Sequence, residues 1–313
     1  MAIEVLAFAG GVGGAKLALG LARILPPDKL AIVVNTGDDE SFYGLHVSPD
    51  LDTVMYTLAG LSNTDTGWGL AGDTFQALDM LGRYGIDTWF NLGDRDLATH
   101  IHRTELLRQG ATLSEVTAEL CSRVGIEHRI APMSDQPVRT FLTTQSGDLA
   151  MQDYFVRQRS EPQVTGVKYV GSEAASPSPV LRSAMEQANL LVLCPSNPYL
   201  SVGPILAIPG VREGLESFGG FRVAVSPIVG GSALRGPAAK MMGELGDDAS
   251  CAGVARQYMG ITDAFLIDHQ DSGLAPEIEG MGIQAVPASI IMETEADKVA
   301  LAEIIMDMAA NKS

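Results

Sequence analysis

Short apolar runs alternate with helical segments along most of this sequence. The runs have the length of strands, and the one at residues 30–34 is rich in β-branched residues, as in strands buried on both faces of a parallel sheet. They cover residues 3–9, 30–34, 190–193, 221–225 and 264–267. Helical spacing of apolar positions follows at residues 16–25 and 293–310. The pattern predicts an α/β fold with a Rossmann-like doubly wound, mostly parallel sheet.

The middle of the chain follows a different pattern. Residues 138–144 and 149–155 read as two strands joined by a turn, and the segment that continues to residue 178 is rich in Gly, Ser and Pro. We therefore expect one α/β domain over residues 1–313, with an inserted α+β hairpin subdomain at about residues 97–178.

Capping patterns predict two helices before and within this region. Asp73 with Gln76 reads as the start of a helix that ends near residue 85. Thr112 with Glu115 reads as a capping box for a helix that ends near residue 125. The first of these helices is interpreted as scaffold.

The composition limits the partners that the protein can have. Lys and Arg number 21 against 38 Asp and Glu, which gives a formal charge of -17, and 46% of the 313 residues are hydrophobic. Such a chain can bury a sizeable core, and its charge repels nucleic acid and anionic membranes. A phosphorylated ligand would therefore need local compensation by backbone amides, a lysine or a metal ion.

Two further features concern the environment of the protein. Cys121, Cys194 and Cys251 are scattered without close pairing, so we expect buried, reduced thiols rather than a disulfide framework. Residues 1–5 lead directly into the first strand without the basic stretch of a secretory leader, and no apolar run reaches the length of a membrane span. We therefore expect a soluble protein of the cytoplasm.

A glycine-rich loop joins the first strand to the first helix, with the sequence Gly10-Gly11-Val12-Gly13-Gly14-Ala15-Lys16. Glycines let a backbone approach a ligand closely, and the free amides at a helix start bind phosphate. Lys16 stands where the dinucleotide fingerprint needs a third Gly or Ala, and the P-loop pattern fails because Leu17 follows Lys16. We expect a phosphate cradle of another kind, in which a side chain at Gly13 would fill the phosphate space. A glycine turn with only a packing role is the alternative.

Two groups of acidic residues follow the second strand. Asp38 and Asp39 lie beyond its carboxyl end, the side on which open α/β sheets bind ligands. Asp50 and Asp52 stand in the first turn of the next predicted helix, where Ser48 is a potential cap. Helix capping explains Asp50 and Asp52 as well as ligand binding does, but it does not explain the first pair. Clustered carboxylates need a cation, and oxygen-only ligands favour magnesium.

Polar and aromatic residues mark a further stretch. Residues 89–92, which include Asn91, read as a short strand that leads into Asp94 and then a helix with His100 and His102. Two histidines at this spacing diverge on a helix, which disfavours a metal site, although His100 is a candidate for ligand contact. Trp68, among glycines, is either a wall for a planar ligand or a core residue.

Several loops after predicted strands converge on one rim, which the segments at residues 194–198 and 226–231 also reach. The sequence holds no Gly-x-Ser-x-Gly elbow, no spaced Cys and His pair and no zinc-protease motif. A glycine cradle, a lysine and carboxylates are what phosphoryl transfer needs, since positioning and charge neutralisation suffice for direct in-line attack.

Five motifs together resemble the 2-phospho-L-lactate transferase family of deazaflavin coenzyme F-420 biosynthesis. They are the glycine loop at residues 10–16, Val34-Asn35-Thr36-Gly37-Asp38-Asp39, Ser48-Pro49-Asp50-Leu51-Asp52-Thr53, Leu92-Gly93-Asp94-Arg95-Asp96 and Pro195-Ser196-Asn197-Pro198. Each motif alone is weak, but their order is that of the family, and Ser201-Val202-Gly203-Pro204-Ile205 and Ser226-Pro227-Ile228 follow. The resemblance spans nearly the whole chain.

The resemblance implies a magnesium-dependent enzyme. It would move a phospho-acyl unit from a guanosine diphosphate-linked donor to the ribityl hydroxyl of the deazaflavin Fo and release GMP. The resemblance also implies a homodimer. It leaves open whether the acyl part is lactate, enolpyruvate or glycerate.

The resemblance further implies roles for individual residues. Asp52 and Asp38 are the expected catalytic residues, and Asn91 departs from the basic residue that the archaeal pattern tends to have. The expected donor side comprises Gly10, Gly11, Gly13, Gly14, Lys16, Ser196, Asn197, Pro198 and Ser201. The expected deazaflavin side comprises Asp52, Asn91, Trp68, Asp94 and His100. The expected Mg²⁺ ligands come from Asp38, Asp39, Asp50 and Asp52.

Two other functions remain as alternatives. In a nicotinamide dehydrogenase an acid after the second strand would bind the ribose, but Lys16 counts against it. A sugar-nucleotide-binding regulatory protein would share the fold without transfer chemistry. Magnesium-dependent turnover separates this second alternative from the transferase.

Overall fold

The structure, a computed structural model, describes residues 3–312. Met1 and Ala2, which belong to the segment predicted to lead into the first strand, lie outside the described residues. Within them the strands are β1 (Val5–Ala9), β2 (Leu30–Val34), β3 (Glu40–Phe42), β4 (Leu45–Val47), β5 (Arg129–Pro132), β6 (Arg139–Thr144), β7 (Gly147–Ala150), β8 (Val164–Val170), β9 (Leu190–Leu193), β10 (Phe221–Val225), β11 (Ile228–Val229), β12 (Ser232–Ala233), β13 (Ala264–Asp268) and β14 (Gln284–Ala288).

The α-helices alternate with these strands along the chain. They are α1 (Gly11–Ile24), α2 (Pro49–Leu58), α3 (Gln76–Arg83), α4 (Asp96–Arg108), α5 (Leu113–Arg123), α6 (Pro179–Gln187), α7 (Gly203–Leu206), α8 (Val211–Glu216), α9 (Ala238–Leu245), α10 (Cys251–Gln257), α11 (Ala275–Gly280) and α12 (Glu295–Ala310). Short π-helical turns lie at Asp153–Arg157 and Pro198–Val202, and 3-10 turns at Ser172–Ala174 and His269–Leu274.

Among the described residues, seven strands form one parallel sheet in the order β14-β13-β10-β9-β1-β2-β5. The chain winds from β1 to β2 on one side and returns to β9 on the other. The predicted doubly wound α/β fold is therefore confirmed. The switch point lies between β1 and β9, where loops diverge and leave a crevice at the carboxyl ends of the strands.

Alternate side chains of β1 pack against two helical layers. Ala7 belongs to a core shared with α1, α2, α5 and α12, whereas Phe8 belongs to a core shared with α6, α8 and α10. A strand buried on both faces has no polar positions, which explains the continuous apolar runs in the sequence. Cys121, Cys194 and Cys251 are buried and free, as predicted.

The region predicted as an inserted subdomain differs from the expectation. Strand β5 falls inside residues 97–178, yet it pairs with β2 at the edge of the central sheet. A separate antiparallel sheet, β7-β6-β8, begins only at Arg139. The second predicted strand, at 149–155, is wrong beyond Ala150, because the chain there turns into the π-helical segment Asp153–Arg157.

Two other predicted elements also differ. Residues 89–92 form no strand, and the Phe90 ring instead stacks on Phe42 with centroids 3.8 Å apart. The helix predicted to open at Asp73 begins at Gln76. The capping box of Thr112 and Glu115 is present, as predicted. No helix within residues 3–312 is long and apolar enough to cross a membrane.

Candidate functional site

A cavity of about 850 Å³ opens at the switch point of the sheet. The segments that follow β1, β2, β9, β10 and β14 all contribute to its lining, as expected for loops at the carboxyl ends of parallel strands. The segment Met151 to Val156 and the turn around Trp68 supply further walls. The cavity therefore joins most of the loops that the sequence predicted to converge.

The glycine turn is part of the first helix rather than a loop before it, because α1 begins at Gly11. Gly11 has φ +60°, a left-handed conformation that favours glycine, and its N–H donates to Asp50 Oδ1 at 2.7 Å. A Cβ at Gly13 would lie 2.3 Å from the carbonyl oxygen of Pro195. Gly13 thus permits close packing of α1 on the loop after β9, which a side chain there would disturb, and its expected role beside a phosphate stays a prediction.

Two cationic side chains line the cavity within the described part of the chain, Lys16 and Arg235. Lys16 Nζ donates to the carbonyl of Met292 at 2.6 Å, and burial, together with Lys298 and Arg235 nearby, lowers its pKa. Arg235 Nη1 donates to the carbonyl of Thr66 at 3.0 Å. Both side chains are bonded to neutral carbonyls, so their charges remain available to an anion.

Only some of the residues predicted to form the donor side line the cavity. Ser196, Asn197 and Ser201 line the cavity, but Pro198 and Gly14 of the predicted donor set do not. Ser196 Oγ donates to the carbonyl of Gly10 at 3.0 Å, which ties the loop after β9 to the glycine turn. Asn197 Oδ1 accepts from the amides of the π-helical turn that follows.

A pair of buried carboxylates, Asp38 and Asp50, lies beside the glycine turn. The Asn35 side-chain amide donates to Asp38 Oδ1 at 3.1 Å and to Asp50 Oδ2 at 2.9 Å. Gln152 Nε2, from the segment after β7, lies 3.3 Å from Asp38 Oδ2. Burial raises the pKa of Asp50 to about 6, and burial and the neighbouring Asp50 charge raise the pKa of Asp38 well above its usual range.

Asp39 points elsewhere, although it follows Asp38 directly. Its Oδ2 accepts from Ser48 Oγ at 2.8 Å and lies 3.0 Å from His46 Nε2, and it is not among the cavity-lining residues. Ser48 makes no side-chain cap to α2, contrary to the prediction, because its hydroxyl is used by Asp39.

Asp52 has a partner that the sequence interpretation did not name. Both Asp52 carboxylate oxygens accept from the Arg103 guanidinium, with Nη1 to Oδ2 at 3.0 Å. Arg103 lies on α4 and is 1% exposed. Asp52 itself lines the cavity. Arg103, Asn35, Gln152 and Arg235 are functional candidates that the sequence did not single out, although the spacing of Asp96, His100 and Arg103 along one helix face was visible there.

The four predicted Mg²⁺ ligands do not form one group. Within residues 3–312 no set of three or more His, Cys, Asp or Glu side chains is arranged to hold a metal. Asp38 and Asp50 alone fit, because they are adjacent, buried and bonded by neutral amides. Mg²⁺ commonly takes one or two protein carboxylates and completes its shell with water and substrate phosphate, which this pair allows.

The predicted acceptor side is present in part. Trp68, Asn91 and His100 line the cavity beside Asp52. Trp68 is 44% exposed, so the alternative of a core tryptophan is wrong. His100 is buried with Nε2 3.3 Å from Asp96 Oδ2, whereas His102 lies at the surface against Glu119.

Asp94 does not line the cavity and has a structural role. Its carboxylate accepts from the amides of Gln76 and Ala77 at the start of α3, and these bonds, after the one from the Thr74 hydroxyl, lower its pKa. Asp73 in turn accepts from the amides at the start of α4. Each aspartate therefore caps the helix that follows the other, a reciprocal arrangement that local spacing does not reveal.

The fold and site define a class: a doubly wound α/β protein whose cavity, at the switch point of its sheet, joins a glycine turn to buried carboxylates. A solved structure of a UPF0052 family member from Bacillus halodurans shares this fold, with a TM-score of 0.66, 14% identity and coverage of 98% of this chain and 99% of that one. At this identity the likeness shows the fold alone.

Comparison of the amino-acid sequence with known proteins shows the family of this chain. The family model described as 2-phospho-L-lactate transferase CofD matches residues 5–301. A phosphoenolpyruvate transferase of Streptomyces griseus subsp. griseus is 42% identical over 306 residues, covering 95% of each chain. A 2-phospho-L-lactate transferase of Methanosarcina mazei is 40% identical over 302 residues, covering 96% of this chain and 99% of that protein. The chain belongs to the 2-phospho-L-lactate transferase CofD family and is an enzyme of this transferase family.

Proposed function

We propose that this enzyme transfers a 2-phospholactyl or phosphoenolpyruvyl type group from a guanosine diphosphate-linked donor to the ribityl hydroxyl of the deazaflavin Fo, releasing GMP. The observation that carries the proposal is the single cavity that joins the glycine turn, the Asp38 and Asp50 pair and the wall around Asp52 and Trp68. Its volume of about 850 Å³ lies toward the upper end of the range of small-molecule sites, about 300–1,000 Å³.

The donor is proposed to lie at the glycine turn. The amides at the start of α1, together with Lys16 and Arg235, supply positive potential in a chain with a formal charge of -17. Ser196 and Asn197, from the loop after β9, border the same end of the cavity.

Asp38 and Asp50 are proposed to hold Mg²⁺. The ion, when bound, would neutralise charge on the transferring phosphoryl group and on the leaving phosphate. Burial is the main cause of the raised pKa of each carboxyl, and a divalent ion bound to the pair would favour the ionised form of both.

The acceptor is proposed to lie against Trp68, with Asp52 and Asn91 contacting its polar groups. Asp52, held by Arg103, presents an ordered acceptor of hydrogen bonds to this end of the cavity. In the reaction the ribityl oxygen forms a bond to the phosphorus of the phospho-acyl group, the anhydride bond to GMP breaks, and the hydroxyl proton leaves with assistance from Asp52.

We infer a direct displacement without a covalent enzyme intermediate. Cys194 and Cys251 are buried, and burial raises the pKa of each thiol, so neither is an activated nucleophile. The same proposal includes a homodimer, a cytoplasmic location and a place in coenzyme F-420 biosynthesis.

The test is to offer lactyl, enolpyruvyl and glyceryl guanosine diphosphate donors with Fo, and to weigh the products with Mg²⁺ and with EDTA. We expect a phospho-acylated deazaflavin and GMP from one donor, only with the metal. Nucleotide binding without any turnover would contradict the proposal and favour a regulatory protein. A phosphorylated enzyme trapped with donor alone would contradict the direct route.

A further inference from the structure

A buried ion pair links the cavity wall to the helix behind it. The Arg103 guanidinium on α4 donates through both terminal nitrogens to the two carboxylate oxygens of Asp52 on α2. Arg103 is 1% exposed and Asp52 is 5% exposed. Such a bidentate pair fixes the carboxylate plane as well as neutralising its charge.

Arg103 does not reach the cavity, whereas Asp52 does. The arginine therefore acts on a ligand without touching it, chiefly through Asp52 and also through the His100 imidazole, which lines the same cavity. Buried ion pairs add little stability compared with well-packed apolar residues, so stability alone is a weak reason for this one. Arg103 Nε also has no hydrogen-bond partner in the described part of the chain, which a purely stabilising arrangement would have supplied.

A second layer holds the arginine. Arg103 Nη1 lies 3.2 Å from His100 Nδ1, and His100 Nε2 lies 3.3 Å from Asp96 Oδ2. The Tyr56 hydroxyl donates to Asp96 Oδ1 at 2.6 Å, so this layer returns to α2. Tyr56, Asp96 and His100 line the cavity together with Asp52, so Arg103 lies directly behind a group of cavity-lining side chains.

We propose that Arg103 is a positioning residue that orients the Asp52 carboxylate toward the acceptor substrate. The inference rests on the proposed function, because it takes a deazaflavin as the molecule that Asp52 contacts. The acceptor site would then depend on a residue that the substrate never touches. The donor site, at the glycine turn, would not depend on it.

The experiment compares Arg103→Met, Arg103→Lys, Asp52→Asn and the double variant Asp52→Asn/Arg103→Met with the wild type. Acceptor affinity is measured by titration of deazaflavin fluorescence, donor-side affinity by calorimetry with GDP, and folding by thermal denaturation. Arg103→Met alone leaves the Asp52 charge buried without its partner and could prevent folding. The double variant removes both charges, so its comparison with Asp52→Asn remains possible in that case.

We expect Arg103→Met to weaken deazaflavin binding about tenfold or more with GDP affinity unchanged, since a misplaced polar group loses most of its binding contribution. Arg103→Lys should recover part of the loss, because one of the two hydrogen bonds remains. On the Asp52→Asn background, adding Arg103→Met should weaken deazaflavin binding by less than about threefold, because the carboxylate that Arg103 orients is gone and only its contact with His100 remains.

An equal loss on both backgrounds, or losses of GDP and deazaflavin binding in parallel, would overturn the inference in favour of a structural role. So would unchanged deazaflavin affinity in a folded Arg103→Met variant. A wild-type protein that binds GDP but no deazaflavin would overturn the proposed acceptor and, with it, this inference. The two failures are therefore distinguishable in the wild-type titration alone.

Discussion

Asp50 and Asp52 stand two residues apart in the first turn of α2, and their carboxylates have different hydrogen-bond partners. Asp50 is bonded by neutral donors, the Asn35 amide and the Gly11 N–H. Asp52 is bonded by the charged guanidinium of Arg103. One carboxylate thus faces the cavity with its charge uncompensated, and the other faces it with a cation already in place.

This difference suits the two carboxylates to different roles in one cavity, one in binding a cation and the other in hydrogen bonding to a neutral ligand. The Asp50 carboxylate and its neighbour Asp38 are buried together beside the glycine turn, where a divalent ion would restore the charge balance. The Asp52 carboxylate needs no further cation and is suited to accept hydrogen bonds from a neutral ligand. The sequence pattern placed these aspartates in one group of expected metal ligands. In the structure their hydrogen-bond partners separate them, because Asp50 has neutral donors and Asp52 has a charged one.

The largest effect expected from this division concerns the metal pair. Asp38→Asn and Asp50→Asn should each lower the transfer rate by about a thousandfold, because an amide cannot supply the charge that holds Mg²⁺. Deazaflavin affinity should remain within about twofold, since the substitution leaves Asp52 and Arg103 intact. Steady-state rates over a Mg²⁺ series and fluorescence titration measure the two quantities.

Asp39→Asn is the matched control for this pair, since Asp39 adjoins Asp38 but bonds to Ser48 and His46 outside the cavity. It should keep the Mg²⁺ response. A thousandfold loss of transfer rate in Asp39→Asn would contradict the separate roles of the aspartates. So would a near-normal transfer rate in both Asp38→Asn and Asp50→Asn.

The next effect concerns the donor end. Lys16→Met and Arg235→Gln should each weaken GDP binding by about tenfold to a hundredfold, because charge-assisted contacts to phosphate are lost. Calorimetry with GDP measures this. Arg23→Gln is the control, since Arg23 pairs with Glu295 at the surface and should bind GDP as the wild type does. Unchanged affinity in both cavity variants would mean that the phosphates lie elsewhere.

The pH dependence of metal binding sharpens the comparison further. Burial raises the pKa of Asp50 to about 6 and that of Asp38 well above its usual range, so both carboxyls favour the protonated form in the folded protein. The stabilisation that protonation gives is present at low pH and is lost as the pH rises through these raised pKa values, which is about 6 for Asp50. Mg²⁺ requires the ionised form and should displace protons. Its affinity should therefore fall by about tenfold per pH unit below pH 6 for each proton displaced.

Calorimetry with Mg²⁺ in two buffers of different ionisation enthalpy counts these protons. The Asp50→Asn variant should release fewer protons than the wild type, whereas Asp73→Asn, which alters a helix cap outside the cavity, should release as many. Metal affinity that stays constant from pH 5 to 7.5 would exclude Asp38 and Asp50 as its ligands.

The fold was predictable because its signal is local. The apolar runs predicted at residues 30–34, 190–193 and 221–225 coincide with β2, β9 and β10, because a strand buried on both faces has no polar positions to interrupt it. The residues around Phe90 were predicted as a strand for the same reason, yet their apolar side chains pack on Phe42 instead of a sheet neighbour. Hydrophobicity alone does not tell these cases apart.

The site was predictable where its residues follow a strand end or stand in a recognisable motif. Asp38 and the glycine turn were found in this way, whereas Arg103 reaches Asp52 across 51 residues of sequence and Gln152 reaches Asp38 across 114. Such contacts depend on how α4 and the β6–β8 sheet pack, which no local spacing encodes. Asp94 shows the converse, because a polar residue in a family motif proved to be a helix cap.

The smallest effect expected concerns the two capping aspartates, which are a third kind of acid beside the cavity. Asp94→Ala and Asp73→Ala should each lower the melting temperature by about 2 °C, since a lost N-cap is a modest change in a chain of 313 residues. Deazaflavin affinity should be unchanged, because neither carboxylate lines the cavity. Asp87→Ala, which removes an exposed pair with Arg157, should change neither quantity. A folded Asp94→Ala protein with deazaflavin binding weakened about tenfold would instead restore the predicted contact between Asp94 and the acceptor, and Asp52 would then no longer be the principal acid on that side.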